Sequence, residues 1–283
     1  MSDLNAAKKW KTEMRNPATT HIDKMSTAEM ALCIQRENEN AVSAVGKALP
    51  AIENACDCIA EKLAAGGRLI YIGAGSSGRL GVLDAAECPP TYGVPRSMVI
   101  GIIAGGPKCM FQAAEKEEDN ASSAVRDLQQ QQLNGKDIIV GISAAGNAAY
   151  VVGALEYARA LGCVTIGITS NEGSLLTQCA DIPIVADTGP EVITGSTRMK
   201  AGTAQKMILN MLSTIAMIKL GCVYENMMVN LKPTNDKLTR RVIGIVEEIT
   251  GLAETDAREF LEAHGWNIRR AMEAYHITEK EGE

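Results

Sequence analysis

Residues 68–78 read RLIYIGAGSSG, a short apolar run that ends in a glycine-rich turn. The run is too short for a helix and apolar on both faces, which is typical of a buried parallel strand. Four similar runs follow, at residues 97–104, 137–143, 163–169 and 181–186. Helical stretches separate most of them, so we expect a doubly wound α/β domain with a five-stranded parallel sheet.

Helices are predicted at both ends of the chain. Ser26 and Glu29 have the spacing of a capping box and open a predicted helix that reaches about residue 48. A second helix follows to about residue 65. The apolar stretch 200–220 predicts a long helix, buried in the core or in a subunit interface. Three short amphipathic helices are predicted beyond residue 232.

Composition excludes several classes of function. The net charge of −6 argues against a nucleic-acid partner, because binding to the phosphate backbone needs an excess of Lys and Arg. Eight scattered cysteines without a CxxC pair indicate reduced thiols and a cytoplasmic protein. With no signal-peptide pattern and no long apolar stretch, we expect neither secretion nor a membrane span.

Histidine is scarce in this chain. Only His21, His264 and His276 occur, so residues 22–263 contain none. A Ser-His-Asp triad, a Cys-His pair or a histidine-rich zinc site is therefore not expected in the main domain. Acid–base chemistry there falls to Glu, Asp, Lys, Tyr or Cys.

The turn at residues 73–78 matches the GxGxxG pattern of dinucleotide-binding proteins. Such a site also needs an acidic residue at the end of the second strand, and here that strand ends IAGG (103–106). The alternative is a monophosphate cradle, in which backbone N–H groups are joined by the hydroxyls of Ser76 and Ser77. A plain glycine turn with serine caps also remains open.

A second group of hydroxyls precedes the long apolar helix. Residues 194–200 read TGSTRMK and offer several donors together with two cations. The group is either part of an anion site or a helix cap followed by a solvated basic turn.

Two acidic stretches are candidates for acid–base work. Glu87 precedes Pro89 and Pro90, which are expected to end the first crossover helix just after it. A carboxyl group at a helix C-terminus favours its neutral, proton-donating form, although an exposed surface acid is equally compatible. The run EKEED (115–119) is expected on the next helix, where its pattern does not single out one acid.

Four strings, at residues 66–93, 102–106, 117–119 and 193–219, closely resemble the N-acetylmuramic acid 6-phosphate etherases. AECPPT (86–91) and TGSTRMKAGTAQK (194–206) are the most specific. The resemblance implies three regions along the chain. They are an N-terminal helical segment (1–58), a sugar isomerase (SIS) domain (59–222) and a C-terminal three-helix region similar to ubiquitin-associated units (233–283).

The resemblance also implies the reaction and its two acids. Members of the family are carbon–oxygen lyases that cleave the D-lactyl ether of N-acetylmuramic acid 6-phosphate in cell-wall (peptidoglycan) sugar recycling, with no metal or redox cofactor. The Glu before Cys-Pro-Pro, the proton donor, corresponds to Glu87. The Glu before Asp on the next helix corresponds to Glu118. In the open-chain sugar, Glu118 would remove the C2 proton while Glu87 protonates the departing oxygen at C3.

One loop departs from the family pattern. Many members carry a Ser before, and a Thr two residues after, the Gly in the loop that follows the third strand, whereas this chain has Ala145 and Ala148. Ser143, Asn147 and backbone amides are candidates to compensate, or the preferred substrate differs. The complete set of predicted phosphate-binding residues is Ser76, Ser77, Gly78, Ser143, Asn147, Ser196 and Thr197.

Two other functions fit the same fold. An aldose–ketose isomerase would also use a carboxylate at C2 but would release no lactate. A regulatory protein would bind a phosphosugar without turning it over. The family resemblance further implies a homodimer with its site near the subunit interface.

Overall fold

The computed structural model describes residues 10–112, 115–230, 233 and 236–281. Residues 1–9 of the predicted N-terminal segment, and residues 234–235 and 282–283 of the predicted C-terminal region, lie outside this description. Two compact units are found, residues 1–85 with 97–216, and residues 86–96 with 217–283. The domain boundaries at residues 59, 222 and 233 stay predictions.

A five-stranded parallel sheet forms the centre of the first unit, in the order β2-β1-β3-β4-β5. The strands are β1 (Leu69–Gly73), β2 (Val99–Ile103), β3 (Ile138–Ile142), β4 (Val164–Thr169) and β5 (Ile182–Val185). Every residue of β1 and β3 is buried, as expected for central strands covered on both faces. The predicted doubly wound α/β fold is confirmed, with each strand within two residues of its expected position.

Within the described residues, seven α-helices accompany the sheet. They are α1 (Thr27–Lys47), α2 (Leu49–Ala64), α3 (Gly75–Tyr92), α4 (Ala121–Gln130), α5 (Ala149–Ala160), α6 (Leu175–Cys179) and α7 (Lys200–Lys219). The capping box of α1 is confirmed, because the Glu29 amide donates to Ser26 Oγ and the Ser26 amide donates to the Glu29 carboxylate. Helix α5 lies so close to β3 that a Cβ on Gly141 would come within 2.8 Å of Val151.

The predicted end of α3 is wrong, since the helix continues through Pro89 and Pro90 to Tyr92. Proline removes the N–H donor but keeps the carbonyl, and the Pro89 carbonyl accepts from the Gly93 amide at 2.9 Å. Burial of Cys88 and Tyr92, one turn apart, favours the helical path. Glu87 therefore lies more than a turn before the helix end, and the argument from the terminal dipole does not apply to it.

The predicted position of Glu118 on a helix is also wrong. Residues 115–117 form a single 3-10 turn, Glu118 and Asp119 lie in the turn that follows, and α4 begins after Asn120. The Asn120 side chain accepts from the Ser123 amide at 3.1 Å. An Asn cap competes with helix formation before it, which is why the acidic run is not part of α4.

The second unit contains a short hairpin and three helices. The elements are β6 (Val223–Tyr224), β7 (Met227–Met228), α8 (Asp236–Thr250), α9 (Glu254–Ala263) and α10 (Ile268–Glu281). Val242, Val246, Leu261 and Ile268 are buried in its own small core. The three predicted C-terminal helices are confirmed, whereas the hairpin was not predicted. Among the helices described, none is long and apolar enough to cross a membrane.

Candidate active site

The glycine-rich turn joins β1 tightly to α3. A Cβ on Gly78 would lie 2.5 Å from the Gly73 carbonyl oxygen, so only glycine fits there. Ser77 is buried and donates to Gln205 Oε1 on α7 at 3.0 Å, while Ser76 is only half-buried. The two predicted serines therefore differ: Ser77 joins two helices, and Ser76 is the more accessible hydroxyl.

Ser76 lines a cavity of about 560 Å³ together with residues from two helices and two loops. Its other lining residues are Arg79, Leu80, Leu83, Met110, Arg198, Gly202, Thr203 and Lys206. We call it the cationic cavity, because the described residues that line it include three cations and no carboxylate. This volume is in the range of small-molecule sites. Neither Arg79 nor Lys206 was predicted from the sequence as a site residue. Residues 198, 202 and 206 are spaced four apart, which would place them on one face of a helix, and this pattern could have indicated Lys206.

The loop before α7 is held by buried charges. The Glu191 carboxylate accepts from the amides of Lys200 (3.3 Å) and Ala201 (2.9 Å), capping the helix. Burial raises the pKa of Glu191, and these amide hydrogen bonds oppose the shift. The Lys200 ammonium group is buried against Glu37. Of the two cations predicted in this segment, Arg198 is exposed, whereas Lys200 is buried in an ion pair that stabilises the loop.

Ser196 and Thr197 lie half-buried in this same loop. The Ser196 amide donates to the Ile193 carbonyl at 2.9 Å, and the Thr197 carbonyl accepts from the Gly202 amide at 3.0 Å. These hydrogen bonds involve the backbone groups of Ser196 and Thr197. The neighbouring Arg198 is the residue of this segment that reaches the cationic cavity.

The loop after β3 is folded on itself. Ser143 Oγ accepts from the Gly146 amide at 3.1 Å, and Asn147 Oδ1 accepts from the Leu175 amide at 3.1 Å. Ser143 is buried and Asn147 half-buried. Both predicted phosphate ligands thus already serve in hydrogen bonds within the protein.

Glu87 and Glu118 are both exposed. Glu118 belongs to the first unit, where its carbonyl accepts from the Tyr150 amide at 2.9 Å, and Glu87 belongs to the second. Their cooperation in one site stays a prediction.

Other candidate acid–base groups are less suited to proton transfer. Burial, reinforced by a hydrogen bond to Asp127, raises the pKa of Tyr150 far above its usual range. Burial likewise raises the pKa of the Cys163, Cys179 and Cys222 thiols. Within residues 10–112, 115–230, 233 and 236–281, no group of three or more His, Cys, Asp or Glu side chains is arranged to hold a metal ion.

Three family models match parts of the chain. Residues 51–159 match the glucokinase regulatory protein N-terminal SIS domain, residues 120–215 match the SIS domain, and residues 248–281 match a UBA-like domain. An N-acetylmuramic acid 6-phosphate etherase from Yersinia pestis (strain Pestoides F) is 52% identical over 92% of this chain and 88% of its own length. The chain belongs to the N-acetylmuramic acid 6-phosphate etherase family.

Solved structures support the fold of this etherase-family chain. A phosphoheptose isomerase from Francisella tularensis superposes with a TM-score of 0.51 at 20% identity, over 68% of this chain and 98% of that one. A phosphoheptose isomerase from Neisseria gonorrhoeae gives 0.50 at 18% identity, with the same coverage. At such identity the likeness concerns the fold alone.

Proposed function

We propose that this protein cleaves the D-lactyl ether of N-acetylmuramic acid 6-phosphate, giving N-acetylglucosamine 6-phosphate and D-lactate in the recycling of cell-wall sugars. The observation that carries the proposal is the 52% identity to a curated etherase across 92% of the chain. As a family member the protein is a carbon–oxygen lyase.

The proposed chemistry is an elimination followed by an addition. In the open-chain aldehyde the C2 hydrogen is acidic, and Glu118 takes it as a proton. The C3–O bond then breaks, Glu87 protonates the departing lactyl oxygen, and water adds across the C2–C3 double bond. Each proton transfer of this kind contributes on the order of 10²–10⁴-fold to the rate.

Two features support carboxylates in these roles. Both side chains are exposed, whereas Tyr150 is buried and donates a hydrogen bond to Asp127. The main domain also contains no histidine, which leaves Glu and Asp as the leading general acids and bases near neutral pH.

The test is lactate release from N-acetylmuramic acid 6-phosphate in deuterated water. Wild type should release D-lactate and place deuterium at C2 of the product. Glu87→Gln and Glu118→Gln should each lower kcat at least about 10²-fold with the unfolding midpoint unchanged. Asp119→Asn, next to Glu118 in the same turn, and Glu53→Gln, an exposed acid on α2, are matched controls and should keep wild-type turnover.

The other outcomes separate the competing functions. Deuterium exchange without lactate would indicate an isomerase, and binding without exchange would indicate a regulator. Turnover by Glu87→Gln or Glu118→Gln close to that of Asp119→Asn would remove that residue from the mechanism.

We also propose that the protein is a cytoplasmic homodimer. None of the eight cysteines forms a disulfide, which suits a reducing compartment. Large apolar side chains are exposed on α1 and near α7, among them Val42 and Ile193. Light scattering coupled to gel filtration should give twice the mass of the chain, and a monomer at micromolar concentration would contradict the dimer.

A further inference from the structure

The loop after β3 has few side-chain groups that could hold a phosphate. Ala145 and Ala148 have no side-chain donor, and the Gly146 amide already donates to Ser143 Oγ. The side-chain nitrogen Nδ2 of Asn147 donates to the Ala145 carbonyl at 3.4 Å, and the side-chain oxygen Oδ1 of Asn147 accepts from the Leu175 amide. Residues 143–148 also contain no Lys or Arg, so this loop has no side-chain charge to balance that of a phosphate.

The cationic cavity has the opposite character. Arg79 is fixed by its Nε, which donates to the Met110 carbonyl at 3.0 Å, and by its Nη2, which donates to the Gln112 carbonyl at 3.2 Å. Its remaining N–H groups are not used in these bonds. Arg198 and Lys206 are exposed, and neither forms an ion pair within the part of the chain that the structure describes.

The carboxylate of Asp84, which lies within electrostatic range of Lys206, is already hydrogen-bonded within the fold. Asp84 interacts electrostatically with Lys206, but it is buried and accepts hydrogen bonds from Tyr71 Oη (2.9 Å) and Asn210 Nδ2 (2.7 Å). The net charge of the chain is −6, yet the described lining of this cavity has three cations and no carboxylate, which makes a concentrated positive field. Such a field attracts a multivalent anion.

We propose that the cationic cavity is the phosphate subsite of this protein, with Arg198 and Lys206 as the principal ligands and Ser76 as a hydroxyl donor. The inference rests on the proposed function, since it concerns the sugar phosphate of that reaction. Arg offers paired N–H donors to two phosphate oxygens, and Lys adds a point charge. These residues supply the positive charge that residues 143–148 do not have.

The experiment measures equilibrium binding of N-acetylglucosamine 6-phosphate by calorimetry, which requires no turnover. Lys206→Met and Arg198→Gln should each weaken binding about tenfold or more, and Lys206→Arg should restore much of the loss in Lys206→Met. Wild-type affinity should fall as salt is raised, and the fall should be shallower in Lys206→Met. Lys24→Met removes one exposed lysine elsewhere on the first unit and should bind as wild type.

A second ligand distinguishes the phosphate from the carboxylate of the substrate. D-lactate binding, measured by the same calorimetry, should be the same in wild type and Lys206→Met. Loss of D-lactate binding with unchanged sugar-phosphate binding would assign the cavity to the lactyl group and overturn the proposal. Unchanged binding of the sugar phosphate in both variants would also overturn it. Because binding is read directly, failure of the etherase reaction would leave this test intact.

Discussion

The Lys200 ammonium group pairs with the Glu37 carboxylate, although the two residues are 163 positions apart. Their side chains are only 2% and 14% exposed. Asn16 Nδ2 donates both to Glu37 (2.8 Å) and to the Pro190 carbonyl (3.1 Å). The pair thereby attaches the loop before α7, which carries Ser196 and Thr197, to the N-terminal part of the chain.

Breaking this pair should destabilise the protein strongly. Glu37→Gln removes the ion-pair partner of the buried Lys200 ammonium group, so the free energy of unfolding should fall by about 3–5 kcal/mol. Urea denaturation measures the change. The double variant Glu37→Gln/Lys200→Met should lose less than the sum of the single variants. Glu254→Gln is the control, because its pair with Arg258 is exposed, with 3.9 Å between the charges, and should matter little.

Asp137 should make the protein less stable in acid. Burial alone would raise the pKa of Asp137, but the Arg68 guanidinium, 2.6 Å away, and the Asn134 and Arg68 amides outweigh it and hold the pKa below its usual value. Its stabilising contribution is therefore present above about pH 4 and is lost as pH falls further. Asp137→Asn should lower the free energy of unfolding by on the order of 3 kcal/mol at pH 7. The difference in this free energy between wild type and variant should become smaller below about pH 4. A gap independent of pH would contradict this assignment.

Asp84 should have the opposite pH dependence. Burial raises the pKa of Asp84, and hydrogen bonds from Asn210, Tyr71 and Ser213 and the charge of Lys206 only partly oppose it. The folded state then binds more protons than the unfolded state above about pH 4, so this residue makes stability fall as pH rises. Urea titrations from pH 4 to pH 7 should show the stability of Asp84→Asn increasing relative to wild type. A constant or decreasing difference would be inconsistent with a raised pKa.

Replacing Ser174 by alanine should not lower the stability of the protein. Its hydroxyl is buried and has no hydrogen-bond partner within the described part of the chain, even though it precedes α6 where a cap is usual. Ser174→Ala should therefore leave the melting temperature unchanged or raise it. Removal of a bonded helix cap would instead lower the free energy of unfolding by about 1 kcal/mol. Gly146→Ala, by contrast, should destabilise the fold, because φ is +78° and the new Cβ would lie 2.3 Å from Ser174 Oγ. A clear loss in Ser174→Ala would show that the hydroxyl is bonded in solution.

The sheet and most helices followed from local patterns. Runs apolar on both faces predicted the five strands, and the Ser26–Glu29 spacing predicted the start of α1. Both signals depend on residues close together along the chain, so they can be recognised without the fold. Sequence resemblance identified the family, which no single spacing could have done.

The site depended on contacts between distant residues. Nothing near Pro89 indicates that burying Cys88 and Tyr92 keeps α3 helical beyond it, and nothing near Lys200 shows that its charge is taken by Glu37. The cationic cavity likewise joins Arg79 with Arg198 and Lys206, which lie more than a hundred positions further along the chain. Local sequence sets which elements form, because backbone preference and periodic burial act over a few residues. Which charges stay free to meet a substrate is settled only when packing has brought remote side chains together.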